Sequence, residues 1–249
     1  MSMRFVIDRK VSSRINRNVL AQCTLDSGSL GPMVALLHRF SEPGCYNAVL
    51  NQGEVAYATF TLIVDKNATA SPATINLCEA SPCYTVSPET YVVFSAPCDP
   101  GGLSVAVWRA VGGAKSAVFD SRMLGEGDIF AATLLRPGTY SASNQYGAKC
   151  AISLTRAAKG LARQVIGKRV RLSSRAECQR VDCTRESFAP DKVSAETSQP
   201  ILFAVRTKEP CLRIKVTLEA SEDSPAGPST GAKAERTKVP KKLDLKKTA

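Results

Sequence analysis

The chain has 249 residues, 44% of them apolar and 6% aromatic, with a formal charge of +11. The apolar share suffices for one large or two small cores built on Val, Ile, Leu and Ala, and no apolar run reaches the ~20 residues that a helical membrane span requires. The charge is concentrated: residues 1–155 are nearly neutral, whereas 156–185 and 233–249 contribute +7 and +5, a distribution suited to a polyanionic partner or simply to solubility.

The first eight residues lack a charged region followed by an apolar stretch, so no signal peptide is expected and the chain reads as cytoplasmic. From Asp26 the sequence organises itself by repetition. Asp26-Ser-Gly-Ser-Leu-Gly31 matches Asp120-Ser-Arg-Met-Leu-Gly125, and Pro43-Gly-Cys-Tyr46 matches Pro137-Gly-Thr-Tyr140 at the same offset of 94. With one gap, Asn51-Gln52 matches Asn144-Gln145. Each block runs into an apolar, β-rich stretch, 56–64 and 148–154. We term this half-unit B. A second pattern, half-unit A, pairs Cys78-Glu-Ala-Ser-Pro-Cys83 with Cys178-Gln-Arg-Val-Asp-Cys183, and Val92-Val-Phe94 with Ile201-Leu-Phe203. From each Phe, apolar residues follow at the same distances: Leu103, Val105, Val107 and Leu212, Ile214, Val216. That alternation is the signature of a half-buried strand, and Pro-Gly fixes a turn before each tyrosine.

The order B–A–B–A predicts an all-β fold of two β-sandwich modules, jelly-roll or immunoglobulin-like, from an internal repeat. The middle half-units are expected to form one sandwich over 70–155. The outer ones, 1–65 and 165–218, are expected to complete a second, within one chain or between chains. A short basic linker helix is expected over 156–170, where Ala158, Leu161, Ala162 and Val165 share a face, although Gly160 and Gly167 weaken it. The segment 221–249, rich in Pro, Gly, Ser and Lys, is expected to be disordered.

Thr90 to Leu154 contains Tyr91-Val-Val-Phe94, a Gly turn, Leu103-Ser-Val-Ala-Val107 and Leu134-Leu-Arg-Pro-Gly-Thr-Tyr140. This stretch, about a quarter of the chain, resembles the pre-peptidase C-terminal-type β-sandwich of bacterial secreted proteins. The resemblance implies an accessory binding or folding role without catalysis.

Signals of catalysis are poor. His38 is the only histidine and lies in Leu36-Leu-His-Arg-Phe40, a setting more often structural than catalytic. There is no nucleophile elbow, phosphate loop or dinucleotide fingerprint. Asp26 and Asp120 fall at equivalent repeat positions and read as turn residues bonding nearby backbone. Cys78, Cys83, Cys178 and Cys183 read mainly as buried thiols, with local disulfides or a four-thiolate zinc site as alternatives. No catalytic, cofactor or metal residues are therefore assigned. Arg163, Lys168, Arg169, Arg171, Arg175, Lys241, Lys242, Lys246 and Lys247 are the candidate polyanion contacts, and without interleaved aromatics they would act on phosphates without sequence preference. The expected function is a non-enzymatic structural or assembly protein that self-associates or docks on a larger assembly. Its basic tail would tether an anionic partner. The alternative is a nucleic-acid or other polyanion-binding module.

Overall fold

The computed structural model describes residues 21–88, 90–97, 102–111, 114–156, 164–166, 169–171, 178–208 and 211–221. Among them the chain is all-β, with nineteen strands and one short 3-10 turn. The first half supplies β1 (Thr24–Asp26), β2 (Val34–His38), β3 (Gly44–Gln52), β4 (Val55–Val64), β5 (Ala73–Asn76), β6 (Cys83–Val86), β7 (Val92–Ser95) and β8 (Leu103–Val111). The second half supplies β9 (Ala114–Asp120), β10 (Ile129–Thr133), β11 (Gly138–Asn144), β12 (Lys149–Thr155), β13 (Gln164–Ile166), β14 (Arg169–Arg171), β15 (Gln179–Cys183), β16 (Phe188–Ala189), β17 (Lys192–Glu196), β18 (Pro200–Val205) and β19 (Ile214–Ser221).

These strands form two five-stranded sheets, β6-β4-β3-β8-β9 and β17-β12-β11-β19-β1, a seven-stranded sheet β16-β15-β18-β10-β2-β7-β5, and the small pair β13-β14. The two five-stranded sheets have the same order when each strand is replaced by its counterpart one repeat away. Apart from its edge strand β16, the seven-stranded sheet is symmetric about the pair β10-β2. There Leu36 faces Phe130, its own counterpart at the 94-residue offset, with Val34 facing Ala132 and Leu37 facing Ile129. On either side the row continues through Phe94 to Ile75 and through Phe203 to Val181. All six side chains of this row are buried, so one continuous apolar rib runs across the molecule.

The repeat also explains the turns. Tyr46 and Tyr140 are buried, and each donates its hydroxyl hydrogen to the carbonyl four residues upstream, of Glu42 and Arg136. This arrangement matches the tyrosine corner of Greek-key sheets. Before each tyrosine, Gly44 and Gly138 take φ of 150° and 149°. At Gly138 a Cβ would lie 2.2 Å from the Ala220 carbonyl oxygen, so any other residue there would force the strands apart.

The strand pairing joins the half-units differently from the expected grouping. Among the described residues, the strands of 1–65 pair with those of 165–218 at β1 and β19, Leu25 opposite Val216, with Ser27 bonded to Ile214 just beyond. Strand β3 instead pairs with β8, and β11 with β19, so each B lies in one sheet with strands of the A that follows it. Short crossings between adjacent segments satisfy the strand edges without long closures. The expected linker helix is also corrected: Gln164–Ile166 and Arg169–Arg171 are paired strands. The β-branched Val165, Ile166 and Val170 favour extended backbone. Residues 157–163 of that helix, and the tail from 222 on, lie outside the described residues.

Candidate functional site

The repeat symmetry breaks at one end of the central strand pair. His38 closes β2, and Asp128 stands opposite it, just before β10. The counterparts at the other end of the pair are Ala132 and Val34, both apolar and buried. His38 Nδ1 lies 2.6 Å from Asp128 Oδ1, with the side chains 15% and 5% exposed. The second carboxylate oxygen, Oδ2, accepts the Gly125 amide at 2.8 Å. The imidazole packs between Phe40, edge-on at 4.5 Å, and Phe119 at 4.6 Å. A carboxylate held in this way is an acceptor only, so the imidazole presents its N–H at Nδ1.

Two clefts adjoin the ring. One, of about 350 Å³, is walled by Val118, Phe119, Met123, Glu126 and Lys208. The other, of about 290 Å³, lies on the side of Phe40, Tyr46 and Arg109, where Arg109 pairs with Glu42 and sits 5.6 Å from the Tyr46 ring centroid. The place related to the second cleft by the repeat, among Cys23, Leu134 and Tyr140, encloses only about 20 Å³, while about 230 Å³ lies open beside Gly31, Met33 and Val34, the counterparts of Gly125, Gly127 and Asp128.

The outer faces of the two five-stranded sheets also differ. Strands β3, β4 and β6 contain no charged residue, and their outward positions carry Cys45, Asn47, Thr59, Thr61, Ile63, Cys83 and Thr85. Trp108 of β8 continues this face, with Lys115 5.1 Å from its ring centroid. Tyr57 and Ile63 are 58% and 39% exposed. The other sheet exposes Lys149, Lys192, Glu196, Lys215 and Glu219.

Asp26 and Asp120 act as turn formers, accepting the amides of Gly28 and Arg122. Each also holds a guanidinium through both oxygens, Arg213 for Asp26 and Arg122 for Asp120. Gly28 leaves the room that Arg213 fills, since a Cβ there would come within 2.7 Å of its Nε.

The cysteine pairs are not structurally equivalent. Cys183 lies within β15, two residues beyond Val181, while Cys83 opens β6 in another sheet. The reading of all four as buried thiols is corrected together with its alternatives, since Cys183 alone of them is a free, buried thiol. Cys78 is disulfide-bonded and offers no thiolate to zinc. Cys83 and Cys178 are free and exposed, and Cys183 is free and buried, so neither local pair is bridged. Burial raises the Cys183 thiol pKa and pushes that of Cys150 up to about 11.

Of the candidate polyanion contacts, Arg169 and Arg171 lie on β14, opposite Ile166 and Gln164. Arg163, Lys168, Arg175, Lys241, Lys242, Lys246 and Lys247 fall outside the described residues. The His38–Asp128 pair was missed in the sequence: His38 stood out as a lone histidine, but its partner is 90 residues away and no local motif marks it. Among the described residues no helix is long and apolar enough to cross a membrane. No protein-family model, curated protein or solved structure matches the chain.

Proposed function

We propose that the chain is a non-enzymatic structural or assembly protein. In this reading each five-stranded sheet and the half of the seven-stranded sheet beside it form a β-sandwich module, and copies associate through the uncharged outer face of β3, β4, β6 and β8. The observation that carries the proposal is that these four strands present no charged side chain outward, Lys115 of the edge strand β9 lying beside Trp108. Interface centres are depleted of charge and enriched in aromatic residues, as here with Trp108 and Tyr57.

The occupant is a second copy. The outer face of the other sheet could cover this one only by desolvating Lys149, Lys192, Glu196 and Lys215, which is unfavourable. A face without outward charge on its central strands can pair with its own copy through a two-fold axis. Sedimentation velocity across a concentration series is expected to show a dimer. Thr61→Lys, between Asn47 and Cys83 in register, is expected to shift it to monomer without changing its secondary structure. A monomer at all concentrations up to about 100 μM, an affinity below that of specific assembly, would sink the proposal.

Polyanion contact is the second reading, favoured by the placement of Arg169 and Arg171 two residues apart on one strand. It expects heparin or duplex DNA binding with a steep salt slope that survives removal of 222–249.

A further inference from the structure

We propose that the cleft at His38 is a binding site for a small, apolar-bodied molecule carrying a hydroxyl group, which donates a hydrogen bond to His38 Nε2. This inference does not rest on self-association.

The fold does not require the pair. At the other end of the same strand pair, Val34 and Ala132 occupy the equivalent places without a polar atom. There the space equivalent to the Phe40 side is closed to about 20 Å³ and that beside Gly31 and Val34 is about 230 Å³, against about 290 Å³ and 350 Å³ beside His38. A polar pair has been placed where an apolar one suffices, and the packing on its Phe40 side has been opened. Volumes of roughly 300 Å³ and above are those of small-molecule sites, typically apolar walls with a few oriented polar groups.

The polar groups set the ligand chemistry. Asp128 is committed at both oxygens, to His38 and to the Gly125 amide. It therefore selects, for the neutral ring, the tautomer with its proton on Nδ1 and Nε2 as an acceptor. Among the described residues Nε2 has no protein partner, and it is not among the buried unpartnered atoms, so it faces the open space. Val118, Phe119 and Met123 supply the apolar walls. The charges around the cleft disfavour an anion. Asp128 and Glu126 lie on it, Lys208 offsets one of them, and Asp120 is taken up by Arg122. A neutral donor on an apolar body fits these groups, as does a phenol.

The test uses the full chain labelled with ¹⁵N. Its single histidine makes the imidazole resonances unambiguous. Phenol is titrated while the Nε2 signal is followed, with toluene and benzoate as comparisons. The expected result is a saturable phenol shift at Nε2, with toluene and benzoate each binding about tenfold more weakly or worse, the loss of one hydrogen bond in a desolvated site. Asp128→Asn, checked for native circular dichroism, is expected to weaken phenol by a similar factor. An Nε2 signal that phenol leaves unmoved, toluene binding as tightly as phenol, or benzoate binding more tightly would each overturn the proposal.

Discussion

Met33 holds a φ of 69°, in the left-handed region, at the position where the repeat has Gly127 at 86°. A side chain there is strained by roughly 1 kcal/mol, which Gly avoids at the cost of some unfolded-state entropy. Met33→Gly is therefore expected to raise stability by about 0.5–1 kcal/mol in urea denaturation. An equal loss would show that the Met33 side chain packs in a way that outweighs its backbone. The tyrosine corners give a second test. Tyr140→Phe removes only the bond to the Arg136 carbonyl and should cost about 1 kcal/mol, whereas Tyr140→Ala also leaves a cavity and should cost about 3 kcal/mol or more. The thiols give a third. Cys150 is neutral and buried, with its pKa raised from 9.0 to about 11. Its folded-state pKa exceeds the unfolded value, so its contribution is fully present below pH 9 and is lost as pH rises through 11. Cys183 acts in the same direction. Cys150→Ala is expected to flatten the fall in stability between pH 9 and 11. In the native state the exposed Cys23, Cys45, Cys83 and Cys178 should alkylate first. After unfolding without reductant seven thiols should react, and after reduction all nine. Nine before reduction would rule out the disulfide at Cys78.

The element that joins the repeats is the Asp-Ser-x-x-Leu-Gly segment, which crosses between sheets. Ser27 receives the Ile214 amide on its hydroxyl and gives its own amide to the Ile214 carbonyl, while three residues on Leu30 exchanges both backbone bonds with Leu103. The second copy mirrors it: Ser121 does the same with Val105, and Leu124 with Leu212. Each segment thus begins in the other repeat's sheet and ends on its own. Ser27 and Ser121 are fully buried. Replacing either by Ala leaves a buried amide without its side-chain partner and is expected to cost about 1–3 kcal/mol; a change below about 0.5 kcal/mol in both would mean that water takes the place of the hydroxyl. These segments were legible in the sequence because turn chemistry and period-two alternation are local, and Leu103, Val105 and Val107 do correspond to Leu212, Ile214 and Val216. Their destinations were not legible, since register depends on partners as far as 187 residues away. The same limit misled the cysteine match. Cys-x4-Cys carries no periodicity, and the aligned Cys83 and Cys183 fall on strands of different sheets.

At the scale of the molecule, the seven-stranded sheet decides how the chain unfolds. Two repeats with separate cores could melt independently, as domains usually do. Here β2 and β10 are adjacent central strands, and the rib from Ile75 through Leu36 and Phe130 to Val181 passes from one repeat to the other without a break. Both crossing segments add bonds over the same boundary, and β1 lies on the far sheet beside β19. Separating the repeats would expose the long edges of β2 and β10 together with Leu36 and Phe130, both fully buried, and an apolar unpaired edge is a strong liability. One cooperative transition is therefore expected, with equal calorimetric and van't Hoff enthalpies in scanning calorimetry. A fragment ending at residue 125 should fail to fold alone, because it retains β1 and β9 but loses β19 and β10. Two resolved transitions, or a fragment with a cooperative melt of its own, would show that the central pair is only a contact between two independent modules.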